Sequence, residues 1–245
     1  MVLDNCTDET LRIVATYPVK YCVFDKERLG KNEVINRLVK LAQGEVIIIH
    51  DADWIFQATK EDLWLLDSMF RLNERVGGIA DPFPIQYPLR KEAGMLERGV
   101  MIQNKLWMDY NKKYGGPLLI NIMRKELYEP STSLADDFER FDSILNQGYF
   151  ILIKDNVPRM ITGGENYTFK GLIRQKERTA LARKQVNLKF GWKFYRYVIH
   201  EFLFGMSTKD FIALSIVNLA FAIGTLKAPF KKPVSTREGW GMRAR

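Results

Sequence analysis

The stretch that decides the fold is Glu45-Val46-Ile47-Ile48-Ile49-His50-Asp51-Ala52-Asp53-Trp54-Ile55-Phe56. Its apolar core from Val46 to Ile49 is β-branched and uninterrupted, which is typical of a strand covered on both faces, as in a parallel sheet. Charge then begins abruptly at Asp51 and Asp53. Because open parallel sheets bind ligands at the carboxyl ends of their strands, we expect a site here. An Asp-x-Asp pair offers hard oxygen ligands to a divalent cation that also holds phosphates, whereas an isolated pair of this kind is more often a solvated strand end.

Length and composition limit the classes of protein that the chain represents. Its 245 residues fit one sizeable domain, or one domain with an appendage. The net charge of +8 favours anionic partners such as nucleotides, lipid phosphates or membrane surfaces. Two cysteines, Cys6 and Cys22, imply no disulfide framework and a reduced compartment. With only His50 and His200, a histidine metal site or a Ser-His-Asp triad is disfavoured, and Met1 to Thr10 lacks the pattern of a signal peptide.

Strand and helix patterns alternate through the first part of the chain. A strand end at Val2 to Asp4 is followed by a polar turn and a short helix, and Tyr17 to Phe24 is typical of a second strand. Gly30 then opens a helix over Asn32 to Ala42, whose apolar residues follow helical spacing. This order predicts an α/β fold with parallel strands. Such a fold normally has a complete strand before Asp4, so we expect the domain to be N-terminally incomplete.

Three motifs in this region resemble those of family 2 glycosyltransferases. Leu3-Asp4-Asn5-Cys6-Thr7-Asp8-Glu9-Thr10 resembles the family's V-D-D-G-S-T-D-G-T turn, with Leu3 in place of the first acid. Gly30-Lys31-Asn32-Glu33-Val34-Ile35-Asn36 resembles G-K-x-x-A-L-N, and Gly44 to Asp53 resembles G-E-I-x-x-x-x-D-A-D. Each motif is weak alone, but three in order at compact spacing are a strong signal. The family's opening strand and its P-x-Y-N-E-type loop have no counterpart in the sequence.

The resemblance implies a GT-A fold, which is a Rossmann-like, mostly parallel sheet flanked by helices. It also implies an inverting sugar transfer from a nucleotide-sugar donor, UDP- or GDP-linked, with Mg²⁺ or Mn²⁺ as the cation. By this resemblance Asp4 and Lys31 lie near the nucleotide. Asp51 and Asp53 hold ribose, diphosphate and metal, where the cation neutralises the charge that develops on the leaving diphosphate.

A second acidic motif follows at Ser131-Thr132-Ser133-Leu134-Ala135-Asp136-Asp137-Phe138-Glu139-Arg140-Phe141. Acids in a first helical turn are often there simply to favour the helix dipole. With Gly148-Tyr149 behind it, however, the segment resembles the family's E-D-x-E-L-x-x-R-x-x-x-x-G-Y pattern. On that match Asp137 is the catalytic base that takes the proton of the acceptor hydroxyl. Asp136 is its neighbour, whose like charge would raise the pKa of Asp137.

Arg174-Gln175-Lys176-Glu177-Arg178-Thr179 resembles the Q-x-x-R-W motif of processive family members. Gln175 and Arg178 match the motif, and Thr179 stands where it has tryptophan. The resemblance places both residues near the acceptor and the diphosphate. A basic, solvated helix face is an equally good interpretation of this segment, and the missing tryptophan argues against a long polymer channel.

The C-terminal part, residues 186–245, is expected to be a helical, membrane-associating appendage to a catalytic domain over residues 1–185. Val186 to Phe204 combines a basic stripe with a broad aromatic face, which is typical of an interfacial membrane helix, although a helix docked on its own domain is the alternative. Phe211 to Leu226 is apolar but shorter than an ordinary span, so a short or tilted span, a re-entrant hairpin and a dimerisation helix remain open. Lysines follow it, and could bind anionic head groups.

The function predicted from these features is an inverting, metal-dependent glycosyltransferase at the cytoplasmic face of a membrane. Its acceptor is expected to be lipid-linked or a glycan, with residues 186–232 contacting the membrane surface and a homo-oligomer left open. The alternatives are a catalytically silent nucleotide-sugar-binding relative and a nucleotidyltransferase, which also places carboxylates and a metal at strand ends. A nucleic-acid binder is suggested by charge alone, and the sequence contains no recognisable reader motif for it.

Overall fold

The computed structural model describes residues 1–24, 26–50, 54–80, 94–116, 118–153, 159–162, 167–187 and 192–230 of the chain. The strands are β1 Val2–Asp4, β2 Cys22–Phe24, β3 Val46–Ile48, β4 Trp54–Gln57, β5 Val76–Ala80, β6 Ile120–Arg124, β7 Phe150–Ile153 and β8 Arg159–Thr162. The helices are α1 Thr10–Val14, α2 Lys31–Leu41, α3 Lys60–Leu72, α4 Met95–Tyr114, α5 Asp136–Asn146, α6 Phe169–Gln185, α7 Trp192–Phe204 and α8 Thr208–Lys227. Short 3-10 helices lie at Lys125–Leu127 and Ala228–Phe230.

The central sheet has four strands in the order β3-β6-β5-β7. Strand β6 runs antiparallel to both of its neighbours, whereas β5 and β7 are parallel. Strands β3, β5 and β7 therefore point the same way, and β6 is the reversed strand. Two further pairs are separate from this sheet, the parallel pair β1-β2 and the antiparallel pair β4-β8. The predicted α/β class is confirmed, and three of the four central strands share one direction, although the reversed β6 makes two of the three pairings antiparallel.

Helices cover both faces of the central sheet. On one face α3 packs through Leu66 and Phe70 against side chains of β5 and β6. The other face is covered by α2, α4 and α5, with Ile120 and Met123 of β6 fully buried among them. Each large apolar side chain buried in this way contributes about 1.5–3 kcal/mol. These two layers hold the sheet rigid and so fix the positions of the strand ends and helix starts around it.

Strand β3, which precedes Asp51 and Asp53, lies at the end of the central sheet. In β3, Ile47 is 7% exposed but Ile48 is 37% exposed. The expectation of complete burial on both faces is therefore met only in part, because β3 pairs with β6 on one side and ends the sheet on the other. The backbone N–H of Ile49 still donates to the carbonyl of Asn121, at 2.7 Å, so pairing continues one residue beyond the strand.

The apolar segment after residue 207 forms a helix, α8, that packs against α4 and α6. Its buried face is one stripe of mostly small residues, namely Ala213, Leu214, Val217, Ala220 and Gly224. Opposite them, glycine allows close approach: a Cβ on Gly99 of α4 would lie 2.2 Å from the carbonyl oxygen of Ala213. A polar chain also crosses this junction, since Gln103 of α4 donates to Asn218 and accepts from Lys176 of α6.

Helix α7 contacts α4 through aromatic side chains. The ring of Phe194 lies 5.7 Å from that of Trp107 and 5.0 Å from that of Tyr110, and Tyr197 lies beside Tyr110 as well. On its other side Tyr195 and Ile199 are about half exposed, at 49% and 51%. The predicted helices of the C-terminal part are therefore present and contact the preceding residues, while a domain boundary at residue 185 stays a prediction.

Candidate active site

The turn after β1 is tied to the start of α2 by Asp4. Its carboxylate accepts hydrogen bonds from the backbone N–H groups of Leu29, at 2.7 Å, and Gly30, at 2.9 Å. Gly30 is the residue before α2 and has a φ of 87°, a backbone conformation that residues with a Cβ adopt only under strain. Asp4 and Gly30 together therefore fix the direction in which α2 starts, and with it the position of Lys31.

The start of α2 lies against the segment that leads into α5. The Lys31 ammonium is 3.3 Å from a carboxylate oxygen of Asp136, the first residue of α5. Beside it, the amide of Asn32 donates to the backbone carbonyl of Ser133 at 2.6 Å and to the hydroxyl of Ser131 at 3.3 Å. These contacts join residues that are about a hundred positions apart in the sequence, so the start of α2 and the start of α5 lie side by side in the fold.

A buried arginine, Arg140, holds the two acids of α5. Its side chain is 1% exposed and pairs with both Asp136, at 2.8 Å, and Asp137. Its Nε also donates to the backbone carbonyl of Ile120 in β6, at 2.8 Å. The planar guanidinium therefore fixes both carboxylates relative to the central sheet. The Asp137 side chain remains 32% exposed, in contrast to 4% for Asp136, so Asp137 is the acid of the two that is open to solvent.

Charges around Asp136 keep this buried acid ionised. Burial by itself works against ionisation, but the nearby Lys31 and Arg140 outweigh it and hold the pKa of Asp136 below its usual range. The pKa of Arg140 is raised, since its attraction to Asp137 and Asp136 exceeds the opposing effect of burial. Among the described residues, the cluster of two cations and two carboxylates is thus electrically balanced, which is the condition for burying charge at acceptable cost.

Gln175 and Arg178 both lie on α6, which borders the same region. The C-terminal end of this helix packs on the residues before α5, where Leu181 and Ala182 contact Leu134 and Ala135. Gln175 and Arg178 therefore stand on the site-bordering helix, about two turns and one turn before this contact. Burial lowers the pKa of the neighbouring Lys176 to about 8, with a contribution from Arg183. The roles of Gln175 and Arg178 toward acceptor and diphosphate stay predictions.

The predicted metal ligands Asp51 and Asp53 lie outside the described residues, in the connection between β3 and β4. Within the described part of the chain, no group of three or more His, Cys, Asp and Glu side chains could hold a metal ion. Asp51 and Asp53 therefore stay predicted ligands, on the sequence alone. Their donor set of two carboxylates fits Mg²⁺ or Mn²⁺, which prefer hard oxygen ligands.

Sequence reasoning found the two acids of α5 but missed Arg140. In the E-D-x-E-L-x-x-R pattern, position 140 corresponds to leucine and position 143 to arginine, whereas this chain has Arg140 and Ser143. Ser143 is buried and donates to the backbone carbonyl of Leu127 at 2.8 Å. The signal that could have identified Arg140 was thus an arginine one helical turn before the position at which the family pattern has its arginine. The contacts of Asn32 with the segment before α5 were also missed, because they exist only in the folded chain.

Comparisons with known proteins agree with the fold. Residues 1–64 match the model of the family described as Glycosyl transferase family 2, and no curated protein matches the chain. Among solved structures, the chain is similar to the mannosyltransferase PcManGT from Pyrobaculum calidifontis in complex with GDP-Man and Mn²⁺, with 18% identity and a TM-score of 0.52. The alignment covers 94% of this chain, which spans 66% of the length of that protein. The expected resemblance to glycosyltransferase family 2 is confirmed over residues 1–64, and the expected GT-A fold is confirmed by the similar structure.

Proposed function

We propose that this protein is an inverting, divalent-cation-dependent glycosyltransferase that moves a sugar from a nucleotide-diphosphate donor to a lipid-linked or glycan acceptor. The observation that carries the proposal is the contact between the starts of α2 and α5. It brings Lys31, from the motif of the proposed donor side, within 3.3 Å of Asp136, the neighbour of the proposed base. A transferase needs such a meeting point, because the donor and the acceptor must react in one pocket.

In the proposed reaction Asp137 acts as the general base. The acceptor hydroxyl oxygen attacks the anomeric carbon of the sugar while its proton passes to the Asp137 carboxylate. The bond between the anomeric carbon and the diphosphate oxygen breaks on the opposite face, and the nucleoside diphosphate leaves with that electron pair. This single displacement inverts the anomeric centre. The partial exposure of Asp137 supports the assignment, since the base must be open to the acceptor.

Donor binding is assigned to Asp4, Lys31, Asp51 and Asp53. Asp4 shapes the turn before α2 by accepting from Leu29 and Gly30, and Lys31, whose side chain is 19% exposed beside Asp136, would approach a phosphate group of the donor. Asp51 and Asp53 would hold a divalent cation, which when bound neutralises charge on the diphosphate. A GDP-linked sugar is the first donor to test, because the structurally similar mannosyltransferase is described in complex with GDP-Man.

The acceptor is proposed to be lipid-linked and the protein to act at the cytoplasmic face of a membrane. Helix α7 presents Tyr195 and Ile199 outward, beside the exposed basic side chains of Lys193 and Arg196. Thr208–Phe230 is long and apolar enough to cross a membrane by length and composition, but 33% of its most apolar window is buried inside the protein. An apolar face with basic neighbours supports attachment to an anionic lipid surface.

The proposal is tested by calorimetric titration of GDP and UDP, with and without Mn²⁺, into the native chain and into Asp53→Ala and Asp137→Asn variants. Transfer from the corresponding nucleotide-sugars to a polyprenyl phosphate is measured in parallel. We expect Mn²⁺-dependent nucleotide binding that Asp53→Ala abolishes, and transfer that Asp137→Asn abolishes while nucleotide binding persists. Asp67→Asn is the matched control, because Asp67 is an exposed acid of α3 paired with Arg71.

Each outcome of this experiment has a distinct meaning. Turnover retained by Asp137→Asn would refute the assignment of the base. Nucleotide binding without transfer in the native chain would favour the catalytically silent relative over the enzyme. Binding that is indifferent to Mn²⁺ and to Asp53→Ala would remove the metal from the proposal.

A further inference from the structure

Arg140 is buried too deeply to touch a substrate, yet it contacts both acids of the candidate site. Its three guanidinium nitrogens have separate partners: Nε donates to the Ile120 carbonyl, Nη1 to Asp136 and Nη2 to Asp137. Because the guanidinium is planar and rigid, fixing one nitrogen on strand β6 sets the directions of the other two. The spacing suits this arrangement, since Asp136 and Asp137 precede Arg140 by four and three positions on one helix.

The anchor of Arg140 in the central sheet is also rigid. Ile120 is fully buried, and the α5 residues Phe141 and Ile144 pack with it in the same core cluster. A shift of the guanidinium would therefore require either a broken hydrogen bond to β6 or a movement of the packed helix. Through Arg140 the central sheet thus holds the Asp137 carboxylate in place, although Asp137 itself lies in the first turn of α5 at the edge of the site.

On the other side, Asp136 extends the network to α2. It is shared between Arg140, at 2.8 Å, and Lys31, at 3.3 Å. With the pair between Arg140 and Asp137, three ion pairs connect the proposed donor side to the proposed base. Among the described residues, the other titratable groups beside this cluster include Tyr128, whose pKa burial raises, and Glu139, which accepts from the hydroxyl of Ser131. Within the described residues, Arg140 and Lys31 are the cations that balance Asp136 and Asp137.

We propose that Arg140 is a positioning residue of this site, which orients the Asp137 carboxylate toward the acceptor and couples it through Asp136 to Lys31. This role rests on the proposed function for its catalytic meaning. In the family pattern quoted above the arginine corresponds to position 143, where a serine stands in this chain. The arginine here precedes that position by three residues and is directed at the acids from within their own helix.

The test uses the full chain labelled with ¹³C in the aspartate carboxyl groups, titrated by NMR, with Asp136→Asn and Asp137→Asn to assign the two signals. An opposite charge within about 4–6 Å lowers the pKa of an aspartate by about 1–3 units. We therefore expect Arg140→Gln to raise the pKa of Asp137 by at least about one unit. Arg140→Lys keeps the positive charge but loses the planar set of guanidinium donors. It should therefore change the pKa of Asp137 less than Arg140→Gln does, and it should lower kcat more than it changes the KM for the donor. Arg71→Gln, which removes an exposed ion pair on α3, is the control and should change neither quantity.

Because Arg140→Gln leaves two acids without their shared cation, the double variant Arg140→Gln/Asp136→Asn serves if the single variant does not fold. An Asp137 pKa that is unchanged in the folded variants, with unchanged kcat, would overturn the proposal and leave Arg140 a purely structural residue. Absence of sugar transfer by the native chain would instead refute the proposed function. In that case the titration alone decides whether Arg140 controls the two carboxylates, so the two failures are distinguishable.

Discussion

The docking of α8 on α4 depends on Gly99, and replacing this glycine tests whether α8 belongs to the folded domain. A Cβ at position 99 would lie 2.2 Å from the carbonyl oxygen of Ala213 and 2.7 Å from a methyl group of Val217. The nearest atom is backbone, so no change of rotamer relieves the contact. The two helices would have to separate locally by about 1 Å to restore an ordinary van der Waals distance.

Two effects of Gly99→Ala on stability oppose each other, and their relative sizes decide whether the variant is more or less stable than the native chain. Alanine favours a helix over glycine by about 1 kcal/mol. Overpacking a tight contact costs about 1–3 kcal/mol, and the upper part of this range applies where backbone must move. We therefore expect a net destabilisation of about 1–2 kcal/mol, which for a chain of this size lowers Tm by about 2–8 °C.

The assay is thermal unfolding followed by circular dichroism, first in buffer and then with vesicles containing anionic lipid. Gly94→Ala is the matched control, because Gly94 precedes the same helix, has a φ of −64° and would meet nothing within 4 Å. Its effect should stay below about 1 kcal/mol. If α8 leaves the domain, Gly99→Ala has no clash to relieve and should be neutral or slightly stabilising. A Tm equal to or above that of the native chain would therefore refute the packing of α8 described here.

Two further predictions concern buried charge. Because the folded-state pKa of Lys176 lies near 8 against an ordinary 10.5, the unfolded chain binds more protons in this interval and stability rises with pH. Between pH 8 and about 9.5 the free energy of unfolding, measured with urea, should increase by about 2 kcal/mol, and Lys176→Met should abolish this increase. The same pH dependence of stability in both proteins would contradict the burial of the Lys176 ammonium. Since Lys31 and Arg140 hold the pKa of Asp136 below its usual range, its contribution to stability is present above the ordinary aspartate pKa and is lost as pH falls through the lower folded value. Asp136→Asn should therefore flatten the loss of unfolding free energy below about pH 4, and an unchanged acid limb would show that Asp136 is not ionised in the folded protein.

Local patterns in the sequence were sufficient for the fold class and for several candidate residues. The apolar run Val46 to Ile49 and the helical spacing after Gly30 are short-range signals, and β3 and α2 form where these signals predict them. The acids at 136 and 137 were visible because they open a helix, and α5 begins at Asp136. Reversal of β6 between β3 and β5 could not be predicted in this way, since strand direction depends on which distant partners pair.

The surroundings of the C-terminal helices also could not be predicted from the sequence alone. An apolar segment such as α8 has a composition that suits both a bilayer and a protein core. Its stripe of small residues meets Gly99 on α4, and only this complementary surface identifies one face as buried in the protein. Exposed side chains on the opposite face, such as Leu219 at 56% and Leu226 at 72%, keep the membrane proposal open to experiment.

By itself, then, the sequence determined the α/β order, the family resemblance and the identity of the acids, because these depend on neighbours within a few residues. Only the tertiary structure decided that Lys31 meets Asp136 and that Arg140 is held between β6 and both acids. The physical reason is that the cost of burying a charge, and hence the place where it is stable, depends on partners that the fold brings from distant parts of the chain.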